Sequence, residues 1–122
     1  MYKLAKPLFL HCQSPLHVGS GADLGLVDLP IQRESHTGFP KIEASSLKGA
    51  IRENFEYKAT NEDDWYHIQL AFGYDNDGLP EVKNDKGKTV SFEEKYFAKP
   101  EYRDYSGALA FSDARLLLFP VK

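Results

Sequence analysis

Residues 2–16 alternate between two sides, with Tyr2, Leu4, Leu8, Leu10 and Cys12 on one and Lys3, Ala5, Phe9 and His11 on the other, which predicts a β-strand. Pro7 removes a ladder donor and so favours an edge position or a break, and Pro15 marks the end. No period runs through the long segment that follows. Order returns where Leu47, Ile51 and Phe55 recur at helical spacing after Ser45 or Ser46, either of which can cap a helix. Lys48 and Arg52 share another face, so the expected helix packs by one side and shows cations on the other. Asn61 then predicts the cap of a second helix, with Glu62, Asp63 and Asp64 suited to its positive end, Trp65, Ile68, Leu70, Ala71 and Phe72 as its apolar side, and Gly73 as its stop. Residues 74–91 hold Asp77-Gly78, Pro80, Asp85 and Gly87 and read as turns or a mobile insertion, the part expected to be least ordered. Residues 107–121 predict an apolar strand, interrupted at Ser112, Asp113 and Arg115 by a bulge or a change of face. The sum is an α+β domain without internal repeats.

Composition narrows the class. The 122 residues fit one domain, and 42% hydrophobic residues, including eight Phe, seven Tyr and one Trp, suffice for a core. No apolar run approaches the roughly 20 residues that span a bilayer, and the start lacks a secretory pattern, so a cytoplasmic protein without membrane contact is expected. A single cysteine, Cys12, excludes an intrachain disulfide and a Cys-based zinc site and reads as a buried thiol. The net charge of −3 argues against non-specific nucleic-acid binding by the whole chain. Charge is nevertheless segregated: acids concentrate between Glu53 and Glu94, while the loop and first helix supply Arg33, Lys41, Lys48 and Arg52.

Residues 17–52 carry most of the chemistry, as long structured loops often do. Asp28, a lone carboxylate between Val27 and Leu29, can hold a divalent ion or take a hydroxyl proton; by itself it suits a turn or a cap better. His17 can orient a phosphate or pass a proton, or simply bond loop backbone. Gly19 and Gly21 allow backbone amides to approach a phosphate, though any tight turn wants them. Ser45, Ser46, Lys48 and Arg52 join hydroxyls at a helix start to cations one turn apart, a phosphate-binding edge or a cap beside a solvated face. Arg33 can meet phosphate or bridge to Glu34. His36 has no metal-ligand spacing, Asp113 and Arg115 suit an ion pair or bulge better than a second acidic centre, and Trp65, Tyr66 and Tyr74 suit core packing better than base stacking.

Taken in order, Gly19-Ser20-Gly21, the run Leu26 to Pro30 with its single acid, Gln32-Arg33-Glu34, His36-Thr37-Gly38-Phe39-Pro40 and Ser45-Ser46-Leu47-Lys48-Gly49 resemble the RAMP-superfamily backbone subunits of type III CRISPR effector complexes. Val27-Asp28 and Pro30-Ile31-Gln32-Arg33-Glu34 resemble the Cmr-type (type III-B) subunit that cuts target RNA, and the tail from Ser106 to Val121 fits the same family. The resemblance implies a ferredoxin-like fold of the RNA-recognition-motif kind, with a long functional loop between first strand and first helix and an insertion over about residues 58–104. It implies Asp28 as the catalytic acid, with His17 assisting, and guide-RNA contacts from Gly19, Gly21, Arg33, Ser45, Ser46, Lys48 and Arg52. A divalent cation, Mg or Mn, is expected without a recognisable protein-only site. The expected partners are guide RNA, target RNA, further copies of the chain and other Cmr-type subunits.

Only the first half of such a fold is present, and the stop after Phe119-Pro120-Val121-Lys122 favours an N-terminal part of a single RAMP domain over a shortened relative. Three functions follow. The leading one is an RNA-guided endoribonuclease subunit; the second is a guide-binding backbone subunit that does not cut; the third is an unrelated small hydrolase using Asp28, His17 and His36.

Overall fold

The structure is a computed structural model that describes residues 3–20 and 31–121. Helices and short strands mix, and the chain divides into two compact units: Met1–Leu47 with Phe111–Lys122, and Lys48–Ala110. The second unit includes the whole stretch expected as an insertion.

In the first unit, β1 (Lys41–Ile42) pairs antiparallel with β4 (Ala114–Arg115), Lys41 opposite Arg115 and Ile42 opposite Ala114. Single antiparallel bridges join Gly19 to Ile31 and Arg33 to Pro40. The turn between Arg33 and Pro40 is closed by Glu34 N–H donating to Phe39 O (2.8 Å) and Gly38 N–H donating to Glu34 O (2.9 Å), with Gly38 at φ 69°, a backbone conformation that suits glycine.

Two expected strands are corrected here. Residues 3–16 form no strand, and Leu4, Leu8 and Phe9 are exposed, as is Cys12, which is not the buried thiol expected. The last strand shrinks to Ala114–Arg115, and Leu116, Leu117, Leu118 and Phe119 remain exposed. A strand exists only against a partner that takes its N–H and C=O groups. Among the described residues nothing pairs with residues 3–16, and β1 is two residues long, so β4 can be no longer.

Helix α1 (Ala44–Lys58) starts before either expected serine cap. Its first amide, Ala44 N–H, donates instead to Asp113 Oδ1 at 2.8 Å, and Lys41 Nζ holds the other carboxylate oxygen at 3.0 Å. A carboxylate brought from the far end of the chain thus does the work of the N-cap. The Ala44 N–H and then the Lys41 ammonium hold the Asp113 carboxyl below the usual range.

The second unit holds most of α1, then α2 (Glu62–Phe72), β2 (Glu81–Lys83), β3 (Thr89–Ser91), α3 (Phe92–Tyr96) and a 3-10 turn, Pro100–Tyr102. α2 follows its local signals. Asn61 Oδ1 accepts from Asp64 N–H at 2.9 Å, three acids fill the first turn, and Gly73 ends the helix at φ 104°. Residues 74–91, expected as turns or a mobile insertion, instead contain a two-stranded hairpin in which Glu81 faces Ser91, Val82 faces Val90 and Lys83 faces Thr89. Alternation buries only Val82 and Val90, and Asn84 closes the turn by accepting the Lys86 and Lys88 amides on its side-chain oxygen. Val82, Val90, Phe92 and Phe97 form the core, with Trp65, Tyr66, Tyr74, Leu79 and Tyr96 packed against it. Burying a side chain such as Phe92 contributes roughly 1.5–3 kcal/mol. Gly73 and Gly107 let the segment after the 3-10 turn pass close to the end of α2: a Cβ on Gly107 would lie 2.6 Å from Ala71 O, and Ala108 N–H donates to Leu70 O at 2.9 Å.

Candidate functional site

In the first unit the base of the long loop is closed by backbone. Gln32 N–H donates to Val18 O (2.9 Å), Lys41 N–H donates to Gln32 O (3.1 Å), and Gly19 bridges Ile31. The Gln32 side chain, only 7% exposed, completes this closure. Its Nε2 donates to Gly19 O at 3.0 Å and to Ser46 Oγ at 2.8 Å, and its Oε1 accepts from Glu43 N–H at 2.7 Å. Residues 21–30 run between the two ends so joined. Asp28 and Gly21, the expected catalytic acid and one expected phosphate-binding glycine, lie outside the described residues. His17 is exposed immediately before the closure.

Around this base, Ser46 is engaged as the Gln32 acceptor and Ser45 is exposed in the first turn of α1. The Arg33 guanidinium donates to Gly38 O at 2.9 Å. Arg33 does not bridge to Glu34, which instead accepts from Thr37 Oγ1 (2.7 Å) and meets Arg115 at 3.6 Å. His36 is exposed in the same turn. Asp113 and Arg115 each make an ion pair, as their residue types suggested.

In the second unit, Lys48 Nζ donates to Ser106 O at 3.0 Å, and Arg52 pairs with Glu56 at 2.6 Å and donates to Gly73 O at 2.9 Å. The expectation that α1 turns its cations outward is corrected: both are half-buried, whereas Phe55 is 53% exposed. Long basic side chains bury their stems readily, and here carbonyls at Gly73 and Ser106 offer the heads partners. Lys48 still has donors to spare, since an ammonium carries three. Trp65, Tyr66 and Tyr74 belong to the aromatic core.

Sequence reasoning missed three features. Gln32 is the largest: it stood within the Pro30 to Glu34 motif, but no sequence signal assigned it a structural role of its own. The second is a polar network on the aromatic core, where Tyr74 Oη donates to Glu93 and Arg103 holds the other Glu93 oxygen at 3.0 Å. Burial first, and then Glu93, pushes the Tyr74 hydroxyl up to about 12. Third, Lys95 Nζ bridges Glu62 (2.8 Å) and Lys83 O (2.8 Å), and its bond to Glu62 keeps that carboxyl below its ordinary value. Among the described residues no three His, Cys, Asp or Glu side chains are grouped to hold a metal ion. Among them too, no helix is long and apolar enough to cross a membrane.

A sequence profile of the RAMP superfamily matches residues 9–122, which includes the closed loop base, both ends of the β1–β4 pair and the whole second unit. The chain belongs to the RAMP superfamily. This RAMP chain is 33% identical over 115 residues to the CRISPR system Cmr endoribonuclease Cmr4 of Pyrococcus furiosus, a match covering 93% of the chain and 30% of the relative. It is 48% identical over 52 residues to the CRISPR system CMR subunit Cmr4 of Saccharolobus solfataricus, covering 42% of the chain and 17% of that relative. The RAMP chain thus spans under a third of the length of these relatives. No solved structure matches it.

Proposed function

We propose that this RAMP chain serves a type III CRISPR effector complex as a Cmr-type backbone subunit that grips guide RNA and cuts the paired target RNA. The observation that carries this reading is the 115-residue likeness to a relative named as a Cmr endoribonuclease, which takes in 93% of the chain. In this reading the chain supplies the first part of a ferredoxin-like RAMP fold. Asp28 takes the 2′-hydroxyl proton of a target nucleotide held in line, the freed oxygen attacks the adjacent phosphorus, and the 5′-oxygen leaves with a proton. The products are a 2′,3′-cyclic phosphate and a 5′-hydroxyl. His17, at the start of the loop, orients the phosphate or passes a proton. Gly19, Gly21, Arg33, Ser45 and Ser46 contact the guide backbone, interactions that position RNA without reading its bases, while Lys48 and Arg52 keep their heads on the Ser106 and Gly73 carbonyls. A divalent cation, Mg or Mn, is expected to accompany cleavage, tested by chelation. Further copies of the subunit and other Cmr-type subunits complete the assembly in the cytoplasm.

Asp28→Asn in the assembled complex tests this directly. The change keeps shape and removes charge and basicity, so guide RNA stays bound while target cleavage is lost. Full cleavage by that variant would remove Asp28 from the chemistry. Normal assembly with no cleavage by the unsubstituted complex, even with Mg or Mn supplied, would favour a backbone subunit that does not cut.

A further inference from the structure

Gln32 is the one buried residue among those described in the loop-bearing unit, and it is polar. Each of its polar groups is engaged. The backbone joins Val18 O and Lys41 N–H, the side-chain NH2 divides between Gly19 O and Ser46 Oγ, and the side-chain oxygen takes Glu43 N–H. These partners are three separate things: the outgoing end of the loop, the short strand after it, and the start of α1. Only a group that donates twice and accepts at least once, without charge, at this length meets all of them. Glutamate lacks the donors, methionine lacks every polar atom, and asparagine is one methylene short.

We propose that Gln32 is a positioning residue for RNA cleavage, fixing the ends of the loop at Gly19 and Ile31 against the first turn of α1. The proposal rests on the functional reading above, because the chemistry it positions is assigned to the residues between those ends. A clamp at the base of a loop sets where both ends start, and small misplacement of a reacting group costs rate steeply, on the order of 100-fold for about 1 Å. The bond from Gln32 Nε2 to Ser46 Oγ, at 2.8 Å, anchors this base to the first turn of α1.

The test compares Gln32→Met, Gln32→Glu and Ser46→Ala in the assembled, guide-loaded complex, with Asp28→Asn alongside. Single-turnover cleavage, guide-RNA retention and amide hydrogen exchange are read together. Gln32→Met should lose roughly 100-fold in cleavage rate, with guide retention and target affinity unchanged and faster exchange at Glu43 N–H, while exchange at Lys41 N–H, which bonds the Gln32 backbone, holds. Gln32→Glu keeps the acceptor for Glu43 and loses both donors, so Glu43 should stay protected while the rate falls. Ser46→Ala should cost only severalfold, since Gly19 O still receives a donor. An unchanged rate in Gln32→Met beside an inactive Asp28→Asn would overturn the positioning role alone. Loss of guide retention in step with rate would also overturn it, by showing a general folding role. Normal cleavage by Asp28→Asn would overturn the functional reading, whatever Gln32 does.

Discussion

All six buried hydrophobic residues among those described, Ile68, Phe72, Val82, Val90, Phe92 and Phe97, lie in the unit Lys48–Ala110, whereas the described residues of the loop-bearing unit bury only Gln32. One unit is held by an aromatic core and the other by hydrogen bonds to an amide and a carboxylate. The consequence is a difference in what each tolerates. An apolar core is non-directional and deep, so its stability is spread over many contacts. A polar clamp is directional, and removing one partner leaves others unpaired. Such a clamp suits a segment that must hold a defined loop geometry, while the exposed Leu4, Leu8, Leu117 and Leu118 of the same unit contribute little burial of their own.

The largest effect expected from this contrast is on the aromatic core. Phe92, 1% exposed with ring centroids 4.7 Å from Tyr96 and 6.3 Å from Phe97, should cost about 3–5 kcal/mol of unfolding free energy as Phe92→Ala, read by denaturant titration. A loss under about 1 kcal/mol would mean that the core is not where stability resides.

A smaller effect comes from Tyr74. Its hydroxyl is raised from 10.0 to about 12, so the folded chain keeps a proton that the unfolded chain releases. Stability from this group is therefore complete below pH 10.0 and is lost as pH rises toward about 12. The alkaline slope of melting temperature over that window should flatten in Tyr74→Phe. An unchanged slope would mean that neither burial nor Glu93 perturbs the Tyr74 hydroxyl.

The smallest effect is expected at Leu118, 86% exposed. Leu118→Asp should change unfolding free energy by no more than about 0.5 kcal/mol while reducing self-association, since exposed apolar patches draw chains together. A large destabilisation would place Leu118 against a partner and narrow the contrast between the units.

Local signals proved legible where structure is local. The α2 cap at Asn61, its acids and its Gly73 stop are all read from one short stretch, and the helix follows them. The start of α1 was not legible, because its first amide is taken by Asp113, 69 residues away in sequence. Alternation at residues 2–16 and the apolar run at 107–121 suit strands but do not say whether a second strand is there to complete them, and for these segments the described residues provide only the two-residue β1–β4 pair. The hairpin was hidden for the opposite reason. Only Val82 and Val90 point inward, too few to outweigh the Gly, Asp and Asn around them. In the candidate site, the ion pairs of Asp113 and Arg115 followed from residue type. The closure by Gln32 did not, because a single amide gains its meaning only from the carbonyls and amides that the fold brings to it.

The division of labour between the units is tested most directly by measuring cleavage and stability on the same two variants in the guide-loaded complex. Asp28→Asn should abolish target cleavage with its melting temperature unchanged, and Phe92→Ala should lower the melting temperature while the molecules that remain folded cut at the normal rate. Cleavage surviving in Asp28→Asn, or lost in folded Phe92→Ala, would contradict the assignment of chemistry to the loop and of stability to the aromatic core.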